Sequence, residues 1–254
     1  MQRSFSTPCL ILGIKNTGEN NSKISLLTPQ RGILYAVLYG GPKSRMKSLV
    51  SQFNIGKIWL YENPEKDQIK ITDFEVSSYH NSFSQSLFKM YAASLVCELA
   101  IKTQCAGSNE STFKLLSGFL DGMELCNEEQ SRLGLLRYLW RYIELLGIQP
   151  QTHACSMCGK SFIDSQIEKQ EISYYNYIEN CFVCSSCNSQ ESAFKINNSA
   201  IQYLTGITVL SPSESRKLKI DKNTYEQIKH IVFFLIQNNL DLKLNSIETG
   251  MGIL

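Results

Sequence analysis

The sequence predicts an α+β multidomain chain in which a small N-terminal β-barrel precedes a helical bundle that carries an inserted cysteine loop. Three observations predict it. Apolar residues come in short, strand-like runs over the first 80 residues, they recur at helical spacing from residue 81, and four cysteines stand as Cys155-x-x-Cys158 and Cys184-x-x-Cys187. The divisions that follow are 1–80 for the barrel, 81–150 for the first part of the bundle, 151–190 for the cysteine loop and 191–254 for the rest of the bundle.

Cys9–Lys15 is an apolar run, Lys23–Thr28 alternates, and Gly32–Tyr39 is rich in β-formers and ends in Gly40-Gly41-Pro42. Ile55–Tyr61 and Ile69–Val76 follow, split by the polar turn Glu62-Asn63-Pro64-Glu65. Five short strands in an open sheet would leave unprotected edges, so an OB-like barrel is the simplest fit. From residue 81 the period changes. Ser84–Thr103 places Leu87, Met90, Tyr91, Leu95 and Leu99 near one face; Ser111–Leu125 repeats the pattern with Phe113, Leu116, Leu120 and Met123. Glu128–Leu146 does so with Leu133, Leu136, Trp140 and Ile143, and Asn223–Leu240 with Tyr225, Ile228, Val232, Leu235 and Ile236. The helices before and after the loop are expected to form one bundle.

Two Cys-x-x-Cys pairs about 25 residues apart match the ligand geometry of a tetrahedral Zn²⁺ site, with Cys155, Cys158, Cys184 and Cys187 as ligands. The residue after each pair is expected at positive φ, and Gly159 and Asn188 tolerate that best. Cys181 forms a third pair with Cys184, but Ser185 would follow its turn, so Cys181 is placed outside the metal shell. Four thiolates leave no open position for a water or substrate, so such a zinc is structural. His153 is read as an exposed turn residue, and Cys9, Cys97, Cys105 and Cys126 as small core residues.

At 43% hydrophobic and 19% charged, the composition is that of an ordinary globular protein. No apolar run approaches the roughly 20 residues that span a bilayer. The N-terminus lacks a signal-peptide pattern, so nine cysteines imply a reducing, cytoplasmic setting. The formal charge of +2 hides an asymmetry: residues 1–58 hold eight Lys and Arg against Glu19 alone, whereas residues 59–190 hold ten against sixteen acids. That directs a search for a polyanion site to the first segment, where Arg31, Lys43, Arg45, Lys47 and Lys57 supply phosphate-neutralising cations. Tyr35, Tyr39, Phe53, Trp59 and Tyr61 are candidate base-stacking faces, Tyr39 lying beside the Gly-Gly-Pro-Lys loop. That loop is not a Walker motif. His80, His153 and His230 are scattered and no carboxylate pair stands out, so no catalytic constellation is present and a binding protein, not an enzyme, is expected.

The order of these parts resembles the bacterial recombination mediator family RecO. The resemblance is carried by Leu27-Thr28-Pro29-Gln30-Arg31-Gly32-Ile33, Gly40-Gly41-Pro42-Lys43-Ser44-Arg45, the two cysteine pairs and Leu242-Lys243-Leu244-Asn245-Ser246. It implies a cytoplasmic, nucleoid-associated DNA-repair protein that binds single- and double-stranded DNA and anneals complementary strands. It further implies that such a protein, with the partner RecR, helps load the RecA recombinase onto DNA coated by single-strand-binding protein. By the same resemblance the acidic, apolar-ended C-terminal tail of single-strand-binding protein would dock on the bundle, where Arg137 and Arg141, four apart on one helix, could form a cationic rim. Two other readings use the same residues: an OB-plus-zinc-ribbon RNA-binding protein of translation or transcription, and an enzyme with redox-active cysteines.

Overall fold

The computed structural model describes residues 3–17, 20–40, 44–163, 171–190, 193–240 and 243–254. The backbone divides into two compact units, one of residues 1–138 with 243–254 and the other of residues 139–242. This division assigns the helices around the cysteine loop to both units, where a single bundle was expected.

In the first unit, β1 (Ser4–Asn16), β2 (Asn21–Thr28), β3 (Gly32–Tyr39), β4 (Ile55–Asn63) and β5 (Gln68–Ser78) form one five-stranded sheet, with the short helix α1 (Arg45–Leu49) between β3 and β4. The strands pair in the order β1-β2-β3-β5-β4, and β1 also pairs with β4, so the pairings return to their start. The link between β3 and β5 is parallel and narrow, two residue pairs, Ala36 with Ile69 and Val37 with Lys70. Alternation sorts the side chains: Cys9, Ile11, Ile24, Leu26, Ala36, Leu38, Ile58, Leu60, Ile71 and Phe74 fill the interior. Val50, just after α1, joins them, with Met46 and Leu49 of α1 packed alongside. Gly56 lies beside a register shift between β4 and β5, and a Cβ there would strike the Glu75 carbonyl.

Helices α2 (Leu87–Lys102), α3 (Asn109–Leu125) and α4 (Glu128–Leu145) follow. Leu10, Leu12 and Leu27 have the parity opposite to the interior yet are also buried, because α2 packs on β1 and α3 on β2. The expected apolar face of α2 is corrected: Leu87 is 70% exposed and Met90 is exposed, while Phe88, Ala92, Ala93, Leu95, Val96, Leu99 and Ala100 are buried. The reason is that α2 has neighbours on several sides, β1, α3 and the C-terminal α8 (Asn245–Thr249) among them. Acids on and after α3 hold the connector before α2. Asp121 meets His80 Nε2 at 3.0 Å, Glu124 accepts from Ser82 N and Oγ, and Glu128 accepts from Ser86 Oγ. Glu98 of α2 likewise accepts from Asn245 N, Ser246 N and Ser246 Oγ at the start of α8.

The second unit holds a three-stranded antiparallel sheet of β6 (Ile172–Asn176), β7 (Cys181–Cys184) and β8 (Phe194–Asn197), in the order β7-β6-β8. Helices α5 (Asn198–Val209), α6 (Pro212–Ser215) and α7 (Lys222–Asn239) follow. Ile201, Leu204 and Ile207 of α5 and Ile228, Ile231, Val232 and Leu235 of α7 are buried, as are Trp140, Tyr142 and Ile143 at the end of α4. Among the described residues, no helix is long and apolar enough to cross a membrane.

Candidate functional site

The four expected metal ligands converge. The Sγ atoms of Cys155, Cys158, Cys184 and Cys187 all lie within 4.8 Å of one another, with Cys158 and Cys184 3.7 Å apart. Four thiolates about 2.3 Å from one Zn²⁺ would stand about 3.8 Å apart, so the cluster is of the size a tetrahedral ion requires. Two turns build it. Gly159 N donates to Cys155 O, with Gly159 at φ +75°, as expected. Cys187 N and Asn188 N both donate to Cys184 O, but Asn188 is not among the positive-φ residues. Its side chain instead accepts from Gln190 N and donates to Gln190 O, an alternative way for Asn to shape a turn. Ser156 N donates to Phe182 O and ties the first turn to β7. Burial pushes the Cys155 thiol up, but the amides of Cys184, Cys158 and Met157 outweigh it and bring the group to about 6. Cys181 is not part of the cluster, and its thiol lies 3.9 Å from Glu179 Oε2. The four cysteines can hold a metal ion. Burial pushes the thiols of Cys9, Cys97 and Cys105 upward, so they are unreactive core residues. His153 is exposed, as expected.

The expected polyanion residues fare unequally. Arg31 is ion-paired with Glu62 at 2.5 Å and lies over the Phe5 ring. Lys57 lies over Trp59 and pairs across the sheet with Glu75, while Trp59 pairs with Asp73, so this half of the outer surface carries acids. Arg45 is exposed and Lys47 half-buried on α1. Lys43, with Gly41 and Pro42, lies outside the described residues, as does Leu242. Phe53 is corrected as a stacking face: it is 4% exposed, packed against Phe83.

The outer surface of β2, β3 and β5 is different. With Leu34, Ala36 and Leu38 turned inward, Tyr35 and Tyr39 turn outward and are 46% and 43% exposed. Lys23 Nζ stands 5.1 Å from the Tyr35 ring centre and Lys70 Nζ 5.3 Å from that of Tyr39. The Tyr39 hydroxyl is fixed on Gln68 Oε1. Two rings four residues apart on a strand are about 13 Å apart. Each has an ammonium beside it, which suits a base on the ring and a phosphate on the cation. Lys23 could have been found by parity, since it shares the outward phase of an alternating strand. Lys70 could not, because it reaches Tyr39 only through the crossover that sets β5 beside β3.

The arginines expected at a partner rim are placed otherwise. Arg137 is buried, 8% exposed. Arg141 donates to Ile207 O, Leu210 O and Ser215 Oγ, closing the end of α5 onto α6. Arg137 is therefore not an exposed cation, and the Arg141 guanidinium is engaged by α5 and α6.

Comparison with known proteins divides the chain just after the five-stranded sheet. Residues 1–79 match the family model described as recombination protein O N terminal, and residues 84–248 the one described as recombination protein O C terminal. Relatives bearing the name DNA repair protein RecO include that of Dehalococcoides mccartyi, 24% identical over 228 residues that cover 89% of this chain and 86% of the relative. That of Clostridium novyi is 22% identical and covers 96% and 92%. That of Synechococcus elongatus is 27% identical over 164 residues, 62% of this chain and 59% of the relative, so that match spans less than two thirds of the relative's length. With both halves matched in order, the chain belongs to the recombination protein O (RecO) family of DNA repair proteins.

Proposed function

We propose that this chain is a DNA-binding recombination mediator that anneals complementary strands and helps load a recombinase onto protein-coated single-stranded DNA. The observation that carries the DNA-binding step is the outer surface of β2, β3 and β5, where exposed Tyr35 and Tyr39 each stand beside a lysine. Annealing needs phosphate repulsion between two strands to be neutralised while base edges stay free to pair. Lysines meet the first demand. Tyrosines that stack on base faces meet the second, since stacking leaves the hydrogen-bonding edges open. Arg45 and Lys47 on α1 add further phosphate contacts. We read the five-stranded sheet as OB-like, which suits this use.

The cysteine cluster is read as a structural zinc site. Zn²⁺ bound by four thiolates supplies cross-linking and no open coordination position, so Cys155, Cys158, Cys184 and Cys187 hold the two turns together. The remaining elements of this reading, a cytoplasmic and nucleoid-associated setting, action with RecR and with the tail of single-strand-binding protein, and RecA as the recombinase, rest on the family alone.

Gel-shift and strand-annealing assays on the purified chain, with matched DNA and RNA oligonucleotides and metal content measured on the same sample, test the proposal. Binding to DNA of any sequence, steeply weakened by salt, together with accelerated annealing, is the expected result. A preference for RNA over DNA would replace it with the RNA-binding alternative, which finds no support among the relatives.

A further inference from the structure

The segment that runs from the end of α6 into the first residue of α7 holds Arg216, Lys217, Lys219 and Lys222, and all four side chains are exposed. Among the described residues, none of the four forms an ion pair with a carboxylate. The two nearby acids are occupied. Glu214 accepts from the Ser211 hydroxyl and amide in a capping box at the start of α6, and Asp221 accepts from Thr224 N and Oγ1 at the start of α7. These bonds hold both carboxyls below the usual range.

The segment is also anchored from beneath. Ser215 is fully buried and receives the Arg141 guanidinium, while Leu218 packs so closely on Gly206 that a Cβ at residue 206 would strike it. A capped helix therefore stands at each end of the segment and an apolar peg in its middle. The backbone that carries the cations is thus held in place, so binding an anion has only their side chains left to order. No aromatic residue occurs from Val209 to Lys222. The surface has charge to offer and nothing on which a base could stack.

We infer that Arg216, Lys217, Lys219 and Lys222 form a second phosphate-binding surface, which takes the backbone of a DNA strand irrespective of sequence or strandedness. The choice of DNA as occupant rests on the function proposed above. The surface lies in a different unit from the tyrosine-bearing strands, so one chain has two places to hold DNA, as annealing of two strands requires. An acidic peptide with an apolar end is the less suitable occupant, because the stretch from Val209 to Lys222 contributes no aromatic ring to a pocket for such an end.

The test is full-length chain carrying Arg216→Ala, Lys217→Ala, Lys219→Ala and Lys222→Ala, titrated with a labelled DNA duplex and a labelled single strand over a range of salt and assayed for annealing. The logarithmic salt slope for duplex should become shallower by about 3 to 4, at about 0.9 per phosphate contact. Annealing should fall at least about tenfold. A Lys217→Gln/Lys219→Gln variant, with the melting temperature of wild type, should show about half the change in slope and covers the case in which the fourfold variant does not fold. A slope and annealing rate equal to wild type would overturn the inference while leaving the proposed function standing. A wild-type chain that binds no DNA would overturn both. Loss of binding to a polyglutamate peptide with DNA binding intact would overturn it in favour of an acidic protein partner.

Discussion

Cys181 stands three residues before Cys184 on β7, yet only Cys184 reaches the four-cysteine cluster. Strand geometry explains it: an odd separation puts the two side chains on opposite faces, whereas the turns after Cys155 and Cys184 bring each pair together. The paired spacing was enough to name the four cysteines that converge, because a Cys-x-x-Cys turn is a local object. The φ of Asn188 was not legible, because its own side chain offered the turn a second solution. Cys184→Ser should lower bound zinc and expose the loop to protease while sparing the five-stranded sheet, and Cys181→Ser should do neither. Metal content by elemental analysis and limited proteolysis check both, and loss of metal in Cys181→Ser would show the ligand set to be wrong. Tyr35→Ala and Tyr39→Ala should each weaken single-strand binding by about 1–3 kcal/mol and leave duplex binding nearly unchanged, since paired bases present no free face. Fluorescence titration with the two substrates separates these outcomes.

Among the elements, the turn Gln104–Gly107 is the least expected. Gln104, Cys105 and Ala106 all have positive φ, at 48°, 64° and 49°, and Gly107 follows at 77°. Consecutive left-handed residues cost about 1–2 kcal/mol each. Surrounding bonds hold the turn, with Thr112 Oγ1 donating to Cys105 O and Ser108 N to the same carbonyl. Ala106→Gly should therefore stabilise the first unit by up to about 1 kcal/mol, as glycine removes the steric cost and returns part of the gain as chain entropy. Urea unfolding measures it, and a destabilised variant would contradict the strain. Strands β2 to β5 were legible to within about two residues at each end because alternation marks a surface with one buried face, whereas β1 begins at Ser4, ahead of the apolar run Cys9–Lys15. Helix α5 was not: Thr205, Ile207, Thr208 and Val209 favour strand and Gly206 opposes helix, but buried Ala200, Ile201, Tyr203, Leu204 and Ile207 override that preference through packing. The short β6, β7 and β8 escaped notice because strands of four or five residues carry too few alternations to register.

At the scale of the whole molecule, the charge asymmetry directs the search to residues 1–58, whose cations differ in their surroundings. Arg31 and Lys57 stand out as cations by composition, but Glu62 of β4 ion-pairs with Arg31 and Glu75 lies opposite Lys57 in the β4–β5 register, both acids distant in sequence from the cations they neighbour. The β2–β3 and β3–β5 pairings assemble Lys23, Tyr35, Tyr39 and Lys70 from three strands into one surface. We propose that surface as the strand-binding face, because it combines charge with stacking. The most direct test is the salt dependence of binding to a labelled single-stranded oligonucleotide, for wild type and for Lys23→Ala/Lys70→Ala. The variant should bind more weakly at low salt, with a logarithmic slope shallower by about 1.4, at about 0.7 per phosphate contact on a single strand. An unchanged affinity and slope would contradict the account and move the strand off this surface.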